Sequence, residues 1–239
     1  MAKSSGLNVR LYIQGYDVSG DANSLSTVGY TNTLYDIATL DSTAQKRLMG
    51  PVDGTLGVNG WFDNRTGGIH PIFTSNSGKL PTADQNVLVP MGASIGDPSC
   101  AFVAKEADYN VESGSGAAVS VSSTFPISAG IAPLWGVMLT AHDDTASSAA
   151  NGTSVDNSAS SASGGVGMIQ SFSLASGTAV CKVQHSADNA TFTDLATFTN
   201  VTGVTSEYKE VTGTVNRYIR YSISGTFSNL NFAMAFSRG

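Results

Sequence analysis

Apolar residues recur at every second position in several separate segments, and this alternation restricts the fold more than any other feature of the sequence. In NLNFAMAFSR (229–238), one face of a strand would carry Leu230, Phe232, Met234 and Phe236, and the other Asn229, Asn231, Ala233 and Ala235. The same alternation occurs in residues 8–14, 56–62, 119–127, 179–185 and 219–223. Because successive side chains of a strand point to opposite faces, the pattern predicts half-buried strands in antiparallel sheets and an all-β fold.

Helical signals are sparse and confined to the first half of the chain. Residues 43–50 (TAQKRLMG) predict two helical turns that end at Gly50. Residues 67–75 (GGIHPIFTS) predict one short helix with Pro71 in its first turn. The first half is therefore expected to form a β-sandwich or barrel that includes a short helix.

Long polar connections separate the predicted strands of this half, notably residues 15–40 and 76–98. Connections of this length inside a compact domain are uncommon unless they have a function, and arms that dock on a neighbouring molecule are one such use. Further along, a glycine-containing connection predicts a hairpin between strands at residues 102–111 and 117–127.

A shift in composition suggests where the chain divides. Residues 143–167, DDTASSAANGTSVDNSASSASGGVG, consist mainly of Ser, Ala, Gly and Asn, which favours a flexible linker over the alternative of a structured loop. The predicted domains are then residues 1–142 and 168–239. The second shows short alternating strands between turn clusters, typical of a β-sandwich of jelly-roll, immunoglobulin-like or galactose-binding-like type.

Negative charge is concentrated in the first part of the chain. Residues 1–145 contain 13 Asp and Glu against 7 Lys and Arg, whereas residues 146–239 contain 5 of each. Surfaces that grip nucleic acid need clustered Lys and Arg to neutralise phosphates, and no such cluster is present. The charge pattern argues against a nucleic-acid-binding groove and is compatible with a surface that repels phosphate.

The residues that usually carry chemistry are few and scattered. The three histidines are His70, His142 and His185, and none belongs to a known hydrolase, nucleotide-binding or zinc motif. The HDD triplet at residues 142–144 points its side chains in different directions along an extended chain, which disfavours a metal site. We expect no catalytic residues, no metal and no cofactor.

The two cysteines, Cys100 and Cys181, lie in separate strand-like segments. Buried free thiols are the favoured interpretation, with a disulfide as the alternative. The first thirty residues lack a secretory signal pattern, and no apolar run approaches the length of a membrane span, which predicts a chain made and retained in a cytoplasm.

The order of short motifs in the first half resembles the major tail (tail tube) proteins of long-tailed bacteriophages, particularly those of actinobacterial phages. The motifs, in order, are DVSG (17–20), LDSTA (40–44), KRLMG (46–50), DGTLGVNGWFD (53–63), MGASIGDPSCAFVAKEADY (91–109) and VSSTFPISAGIAPLWGVMLT (121–140). The resemblance covers roughly residues 7–141. The C-terminal part is similar to the surface β-sandwich appended to many phage virion proteins.

The resemblance implies an architectural role in the virion. Proteins of this family assemble into stacked, usually hexameric rings around a channel for DNA, alongside other tail proteins, and DNA passes through without specific binding. Candidates to face this channel are the acidic residues Asp53, Asp63, Asp108 and Glu112. Candidates for contacts between subunits are Leu40, Arg47 and Leu48, within an arm of residues 24–42 and a turn at residues 46–50.

Other roles stay open at the level of the sequence. A capsid decoration or minor tail protein could use similar fold elements. A carbohydrate-binding protein is a more distant alternative, since Phe192, Tyr208, Tyr218 and Tyr221 could stack on sugar rings or could equally be packing residues. Contact with host-surface glycans through the C-terminal domain is a related hypothesis.

Overall fold

The computed structural model describes residues 6–75, 77–129, 134–142 and 144–239, and most of its regular structure is β-strand. One α-helix, α1 (Ile69–Phe73), and one 3₁₀ turn (Gly6–Asn8) occur within these residues. The strands in chain order are β1 (Tyr12–Ile13), β2 (Tyr16–Asp17), β3 (Ala22–Asp36), β4 (Arg47–Trp61), β5 (Gln85–Pro90), β6 (Pro98–Ala104), β7 (Asp108–Glu112), β8 (Ser120–Pro126), β9 (Leu134–Met138), β10 (Asp144–Ala146), β11 (Ala150–Asn151), β12 (Val155–Asp156), β13 (Gly165–Ser186), β14 (Thr193–Thr197), β15 (Thr205–Val211) and β16 (Tyr218–Arg238). The predicted all-β class is confirmed.

Within the described residues, the strands form two antiparallel sheets. The smaller sheet has the order β3-β4-β8-β7. The larger sheet follows the path β14-β13-β16-β9-β6-β5-β1-β2, and β10, β11 and β12 also pair with β16, as β15 does with β13. Strands from both halves of the chain therefore belong to one sheet, joined through β9, which pairs with β6 on one side and β16 on the other.

The first hydrophobic core lies between the smaller sheet and the β1, β5 and β6 part of the larger one. Leu56, Val58 and Phe125 point inward from the smaller sheet, and Phe102 of β6 packs in the same cluster. Helix α1 inserts Phe73, whose ring meets that of Phe125 edge-on at a centroid distance of 5.2 Å. Burial of these alternating side chains accounts for the period-two pattern of the first half.

A second core lies between the two layers that form where the paired strands β13 and β16 bend over. These strands pair along almost their whole lengths. The ladder is interrupted between Ser171 and Ser173, and Gly177 has a φ of 89°. Ile169, before these irregularities, and Cys181, after them, contribute to the same hydrophobic cluster. The long two-stranded ladder is therefore bent over on itself into a sandwich.

A third cluster fills the space between the two halves. Ala233 and Ala235 of β16 face away from the second core, as predicted, yet both are completely buried. The larger sheet curls so that Tyr12 of β1, Leu88 of β5 and Met168 of β13 pack in one cluster with these alanines. Small side chains on the outer face of β16 allow this close approach.

The segment predicted to be a flexible linker is paired along β16. Residues 144–156 contain β10, β11 and β12, with the register pairs Thr145↔Asn231, Ala150↔Ile223 and Val155↔Ile219. Asp143 lies outside the described residues. This stretch is an edge of the larger sheet instead of a free linker, because backbone pairing with β16 does not depend on apolar side chains. The boundaries at residues 142 and 168 stay a prediction.

The predicted helix at residues 43–50 is wrong. Residues 47–50 begin β4, and this strand pairs with β3 through Leu34↔Met49 and Asp36↔Arg47. Ladder hydrogen bonds with β3 prevail here over the helical propensity of Gln, Lys and Leu. The polar connection predicted at residues 15–40 likewise contains the whole of β3. By contrast, the short helix expected within residues 67–75 is confirmed as α1.

The other local predictions hold in part. The hairpin in the first half exists as β7 and β8, paired from Asp108↔Thr124 to Glu112↔Ser120. Its first strand is shorter than predicted, because residues 102–104 belong to β6 in the other sheet. The connection at residues 76–98 contains β5, with Asn76 outside the described residues.

Both cysteines are buried free thiols, in agreement with the favoured interpretation. Cys100 belongs to the first core and Cys181 to the second, and burial raises the pKa of each thiol to about 12. In the described part of the chain, we find no helix with the length and apolar character needed to span a membrane.

Candidate assembly surface

The most unusual surface feature is the distal part of the β3–β4 hairpin, residues 30–52, which we call the arm. Beyond the pair Tyr30↔Gly54, no other strand of the described residues pairs with either side of this ribbon, and its residues are exposed or half-buried. At about 3.3 Å per residue, the paired part of the arm projects roughly 20 Å from the rest of the smaller sheet. An isolated two-stranded ribbon is marginally stable in water, so the arm is a candidate to pack on another molecule.

The side chains of the arm support this interpretation. Of the fifteen large hydrophobic side chains that are exposed in the described residues, eight lie in the arm: Tyr30, Leu34, Tyr35, Ile37, Leu40, Leu48, Met49 and Val52. A concentration of exposed large apolar side chains in one element marks an interaction site more often than a free surface does.

All three predicted contact residues lie in the arm. Leu40 is fully exposed in the turn at its tip, and Leu48, 56% exposed, pairs with Tyr35 near that tip. Arg47 lies beside Leu48 and donates a hydrogen bond of 2.6 Å to the Gln45 side chain. The two segments predicted separately, residues 24–42 and 46–50, are thus the two strands and the tip of one hairpin.

The outer face of the smaller sheet is polar and acidic. The register puts Asp108 and Glu112 of β7 on the face opposite the core, and Asp53 is on the same face of β4. The register also places these residues outside the arm on this face: Ser24, Ser26, Thr55, Asn59, Trp61, Asn110, Ser120, Ser122, Thr124 and Pro126. Arg47 in the arm is the only basic residue of the four strands. Three of the four predicted acidic residues therefore share one face.

The fourth acidic residue, Asp63, has a different setting. It follows β4, pairs with the Arg65 guanidinium at 2.8 Å and accepts a hydrogen bond from the Arg65 amide. Arg65 also contacts Asp21, whose carboxylate accepts a hydrogen bond from the amide of Ile69 at the start of α1. Asp63 thus belongs to a charged cluster that anchors the helix to the sheet.

A buried carboxyl lies beneath the acidic face, and no sequence pattern indicated it. Glu106 is 5% exposed, and its Oε1 lies 3.0 Å from Ser123 Oγ. The Ser123 hydroxyl also lies 2.7 Å from the Asp108 carbonyl oxygen, so its single proton can be donated to only one of them. A protonated Glu106 that donates to Ser123 satisfies both contacts, and burial raises the pKa of Glu106 to about 8.

Polar side chains that could carry chemistry have local structural roles. The carboxylate of Asp17, in the DVSG motif, accepts a hydrogen bond from the Ser19 amide at 2.9 Å, which forms an Asx turn. His185 Nδ1 accepts one from the Asn216 amide at 3.1 Å, and desolvation lowers its pKa. No group of three or more His, Cys, Asp or Glu side chains that could hold a metal ion is found in the described ranges, which do not include Asp143.

The aromatic residues considered for sugar stacking do not form an open platform. Tyr221 is buried with its ring edge-on to Phe232, and Tyr208 packs against the third cluster. The guanidinium of Arg220 covers the ring of Phe192 at 3.8 Å. The remaining candidate, Tyr218, has the Arg217 guanidinium 4.9 Å from its ring centre. The geometry gives the glycan hypothesis no support.

No protein-family model matches this sequence, and no curated protein matches it. Among solved structures, it is similar to a chain of the virion of a native gene transfer agent particle, with 10% identity, a TM-score of 0.41, and coverage of 56% of this chain and 98% of that chain. The Dit protein of phage SPP1, a hub adsorption apparatus protein, gives 10% identity, a TM-score of 0.38 and coverage of 96% and 98%. A chain of the activated phage p2 baseplate gives 10% identity, a TM-score of 0.37 and coverage of 95% and 97%. Similarity at this level assigns the chain to none of these proteins.

Proposed function

We propose that the chain is a structural protein of a phage tail that assembles with copies of itself into stacked rings, hexameric by the family resemblance, and so forms the tube through which DNA is delivered. The observation that carries the proposal is the arm, an exposed apolar ribbon that no other described part of the chain covers. The chain would be made in the host cytoplasm and incorporated into the virion with other tail proteins.

Ring formation requires a lateral contact between neighbouring copies. The smaller sheet has open edges at β3 and β7, and unpaired strand edges expose backbone donors and acceptors that can pair with another strand. Pairing of β7 in one copy with β3 of the next would be a heterologous contact, which closes into a ring when the rotation per copy is suitable. The smaller sheets of the copies would then line a common channel.

The outer face of the smaller sheet suits such a channel. Its hydroxyl and amide side chains are hydrated, and Asp53, Asp108 and Glu112 add negative charge without a balancing cation outside the arm. A surface of this kind repels phosphates, so DNA would slide along it without specific binding. In this arrangement the C-terminal part of the chain would lie outside the tube.

Electron microscopy of the purified full-length protein tests the proposal. We expect rings or tubes with an axial lumen for the natural chain, and monomers for a variant in which residues 33–50 are replaced by a short Asn-Gly turn. At concentrations too low for assembly, the unfolding midpoints of the two proteins should be similar, because the arm contributes no residue to the three cores.

Three results would contradict the proposal. They are a natural chain that stays monomeric at every concentration tested, a shortened chain that still forms tubes, and assembly only as single projections on shells. The last result would instead indicate a capsid decoration protein.

A further inference from the structure

The end of the smaller sheet opposite the arm also exposes apolar side chains. Trp61 at the end of β4 is 49% exposed, the neighbouring Phe62 is 38% exposed, and Val111 near the end of β7 is 47% exposed. Val111 pairs with the buried Val121 and is on the core side of the open edge, whereas Trp61 and Glu112 are on the outer face. Because all four residues lie at the same end of the sheet, we call them together the base patch. Its three apolar side chains are the only large exposed hydrophobics in the described part of the smaller sheet and its flanking residues that lie outside the arm.

The register places these residues at one end of the sheet. Trp61 pairs with Ser120, and Ser120 pairs with Glu112, so two strand spacings of about 4.8 Å separate Trp61 and Glu112 across the sheet. The Phe62 amide donates to the Val119 carbonyl at 2.9 Å, which holds Phe62 at the same end. Its ring lies 4.7 Å from that of His70. The patch is therefore built on strand ends and on α1.

The β4 side of the arm is positively charged, and the base patch carries the negative charge of Glu112. Lys46 and Arg47, at the start of β4, are the only basic residues between Leu11 and Asn64. Glu112 is exposed at the base patch, and no cation lies within ion-pair distance of its carboxylate among the described contacts. The β3 side of the arm carries Asp36 and its tip Asp41, so we expect the β4 side to face Glu112.

We propose that the base patch receives the distal arm of a second copy of this chain, with Leu48 near Val111 and Arg47 near Glu112. The inference rests on the proposed function and names the surface that the arm contacts. The two surfaces lie at opposite ends of the smaller sheet, the arm on β3 and β4 and the base patch on the ends of β4 and β7, so each copy offers its arm at one end and its base patch at the other. A head-to-tail contact of this kind repeats along the strand direction and produces an open-ended stack.

Disulfide cross-linking between copies tests the contact directly. Leu48 and Val111 would be replaced together by cysteine, and the two native cysteines cannot interfere because both are completely buried. Within one chain the new thiols are far apart, since the residues of β4 between Leu48 and Trp61 span roughly 40 Å at about 3.3 Å each, and a disulfide needs Cα atoms within about 7 Å. A bond between these two positions can therefore form only between copies.

We expect the double variant Leu48→Cys, Val111→Cys to give a ladder of covalent oligomers on oxidation. Either single variant should remain monomeric under denaturing conditions, and a mixture of the two should give dimers and no longer species. A matched double variant, Leu48→Cys with Val204→Cys, keeps an exposed thiol outside the base patch and should give no ladder. Dimers from Leu48→Cys alone would show that arms contact each other and would overturn the inference.

A charge exchange gives a second, independent measurement. Glu112→Lys should raise the concentration needed for half assembly about tenfold, and Arg47→Glu should do the same, because each change places like charges together. The combined variant Arg47→Glu, Glu112→Lys should return to near the natural value.

The outcomes separate this inference from the function on which it rests. If the natural chain forms tubes but the double-cysteine variant gives no ladder and the charge exchange gives no recovery, only the base patch assignment is wrong. If the natural chain does not assemble in sedimentation or microscopy, both the proposed function and this inference fail.

Discussion

Gln170 of β13 accepts a hydrogen bond of 2.6 Å from the backbone amide of Gly15, a residue 155 positions earlier in the chain. The Gln170 side-chain amide also donates to the Asn86 carbonyl at 3.1 Å, and the Asn86 side chain donates to Ser206. These contacts join β13 and β15 to the β1, β2 and β5 end of the curled larger sheet. Among the described strands, no ladder pairs these two groups. A few side-chain hydrogen bonds therefore hold the two halves in register.

The first prediction concerns these side-chain hydrogen bonds between the two halves, which we call the seam. Gln170→Ala leaves the Gly15 amide and the Asn86 carbonyl without their partner inside the protein, which should lower the free energy of unfolding by about 1–3 kcal/mol. Urea denaturation followed by fluorescence measures the change. The matched control, Gln45→Ala in the exposed arm tip, should differ from the natural chain by less than about 0.5 kcal/mol. Equal effects of the two substitutions would show that the seam does not stabilise the fold.

The second prediction concerns Gly15, which has a φ of 81°. A Cβ at this position would meet the carbonyl oxygens of Ser171 and Thr205 at 2.8 Å each, so Gly15→Ala combines backbone strain with a steric clash. Gly78→Ala separates the two effects, because Gly78 has a φ of 70° and nothing within 4 Å of its Cβ position. We expect a loss of about 1 kcal/mol for Gly78→Ala from the backbone alone. Gly15→Ala should lower the melting temperature clearly more, and similar shifts would contradict the close approach at the seam.

The third prediction concerns pH and Glu106, whose pKa is raised by burial from 4.5 to about 8. Between these values the folded chain keeps a proton that the unfolded chain releases, so stability is fully present below pH 4.5 and is lost as the pH rises towards 8. The loss approaches about 1.4 kcal/mol per pH unit within this window.

Glu106→Gln, which stays neutral, should remove this part of the pH dependence. His185, with its lowered pKa, contributes a slope of the opposite sign in both proteins, so the difference between them isolates Glu106. Denaturation at pH 5, 6, 7 and 8 measures it. Parallel stability curves for the two proteins would show that Glu106 is ionised in the fold.

The fourth prediction separates the arm from the core within one strand. Leu48→Ser alters an exposed residue and should leave the unfolding midpoint of the monomer, measured at concentrations too low for assembly, unchanged while it weakens assembly at higher concentration. Leu56→Ala, eight residues later on the same strand, removes a completely buried side chain and should cost about 2–5 kcal/mol. Calorimetry and sedimentation velocity give both quantities. A large loss of stability in Leu48→Ser would mean that the arm packs on its own chain.

The fifth prediction concerns the acidic face. Replacing Asp53, Asp108 and Glu112 together by lysine should create binding to double-stranded DNA that falls steeply with salt, whereas the natural chain should bind weakly at every salt concentration. Gel retardation at several salt concentrations shows both. The control variant reverses three acidic residues outside this face, Asp36, Asp41 and Glu210. Equal DNA binding by the two triple variants would mean that the face has no special arrangement of charge.

The strands that bury one face could be predicted from the sequence. Leu56 and Val58 alternate with exposed or half-buried residues, and the burial of one face imposes that period. The strands of the arm could not be found in this way. Neither face of the arm is buried in its own chain, so Leu34, Tyr35 and Ile37 follow no alternation, and a helix was predicted where β4 begins.

Short paired segments and isolated buried polar groups also lack a sequence signal. Strands β11 and β12 have two residues each, too few for any periodicity, and their Ser- and Ala-rich surroundings favour a linker. Glu106 is surrounded in sequence by Lys105 and Asp108, as an ordinary exposed carboxyl would be. Its burial follows from the approach of Gln85 and Ser123, which are distant in the chain. For the site, the sequence indicated the arm residues and three acidic residues of one face, but not the base patch.

Within the described residues, β10, β11 and β12 pair along β16 in place of a free linker. The ladder from β6 through β9 to β16 makes the strands of the C-terminal half one sheet with strands of the first half. If copies of the chain stack as proposed, their outer halves must repeat with the same rotation and rise as the channel lining. The exterior would then be a regular lattice of lobes, and its helical parameters could be measured on the outside without resolving the lumen.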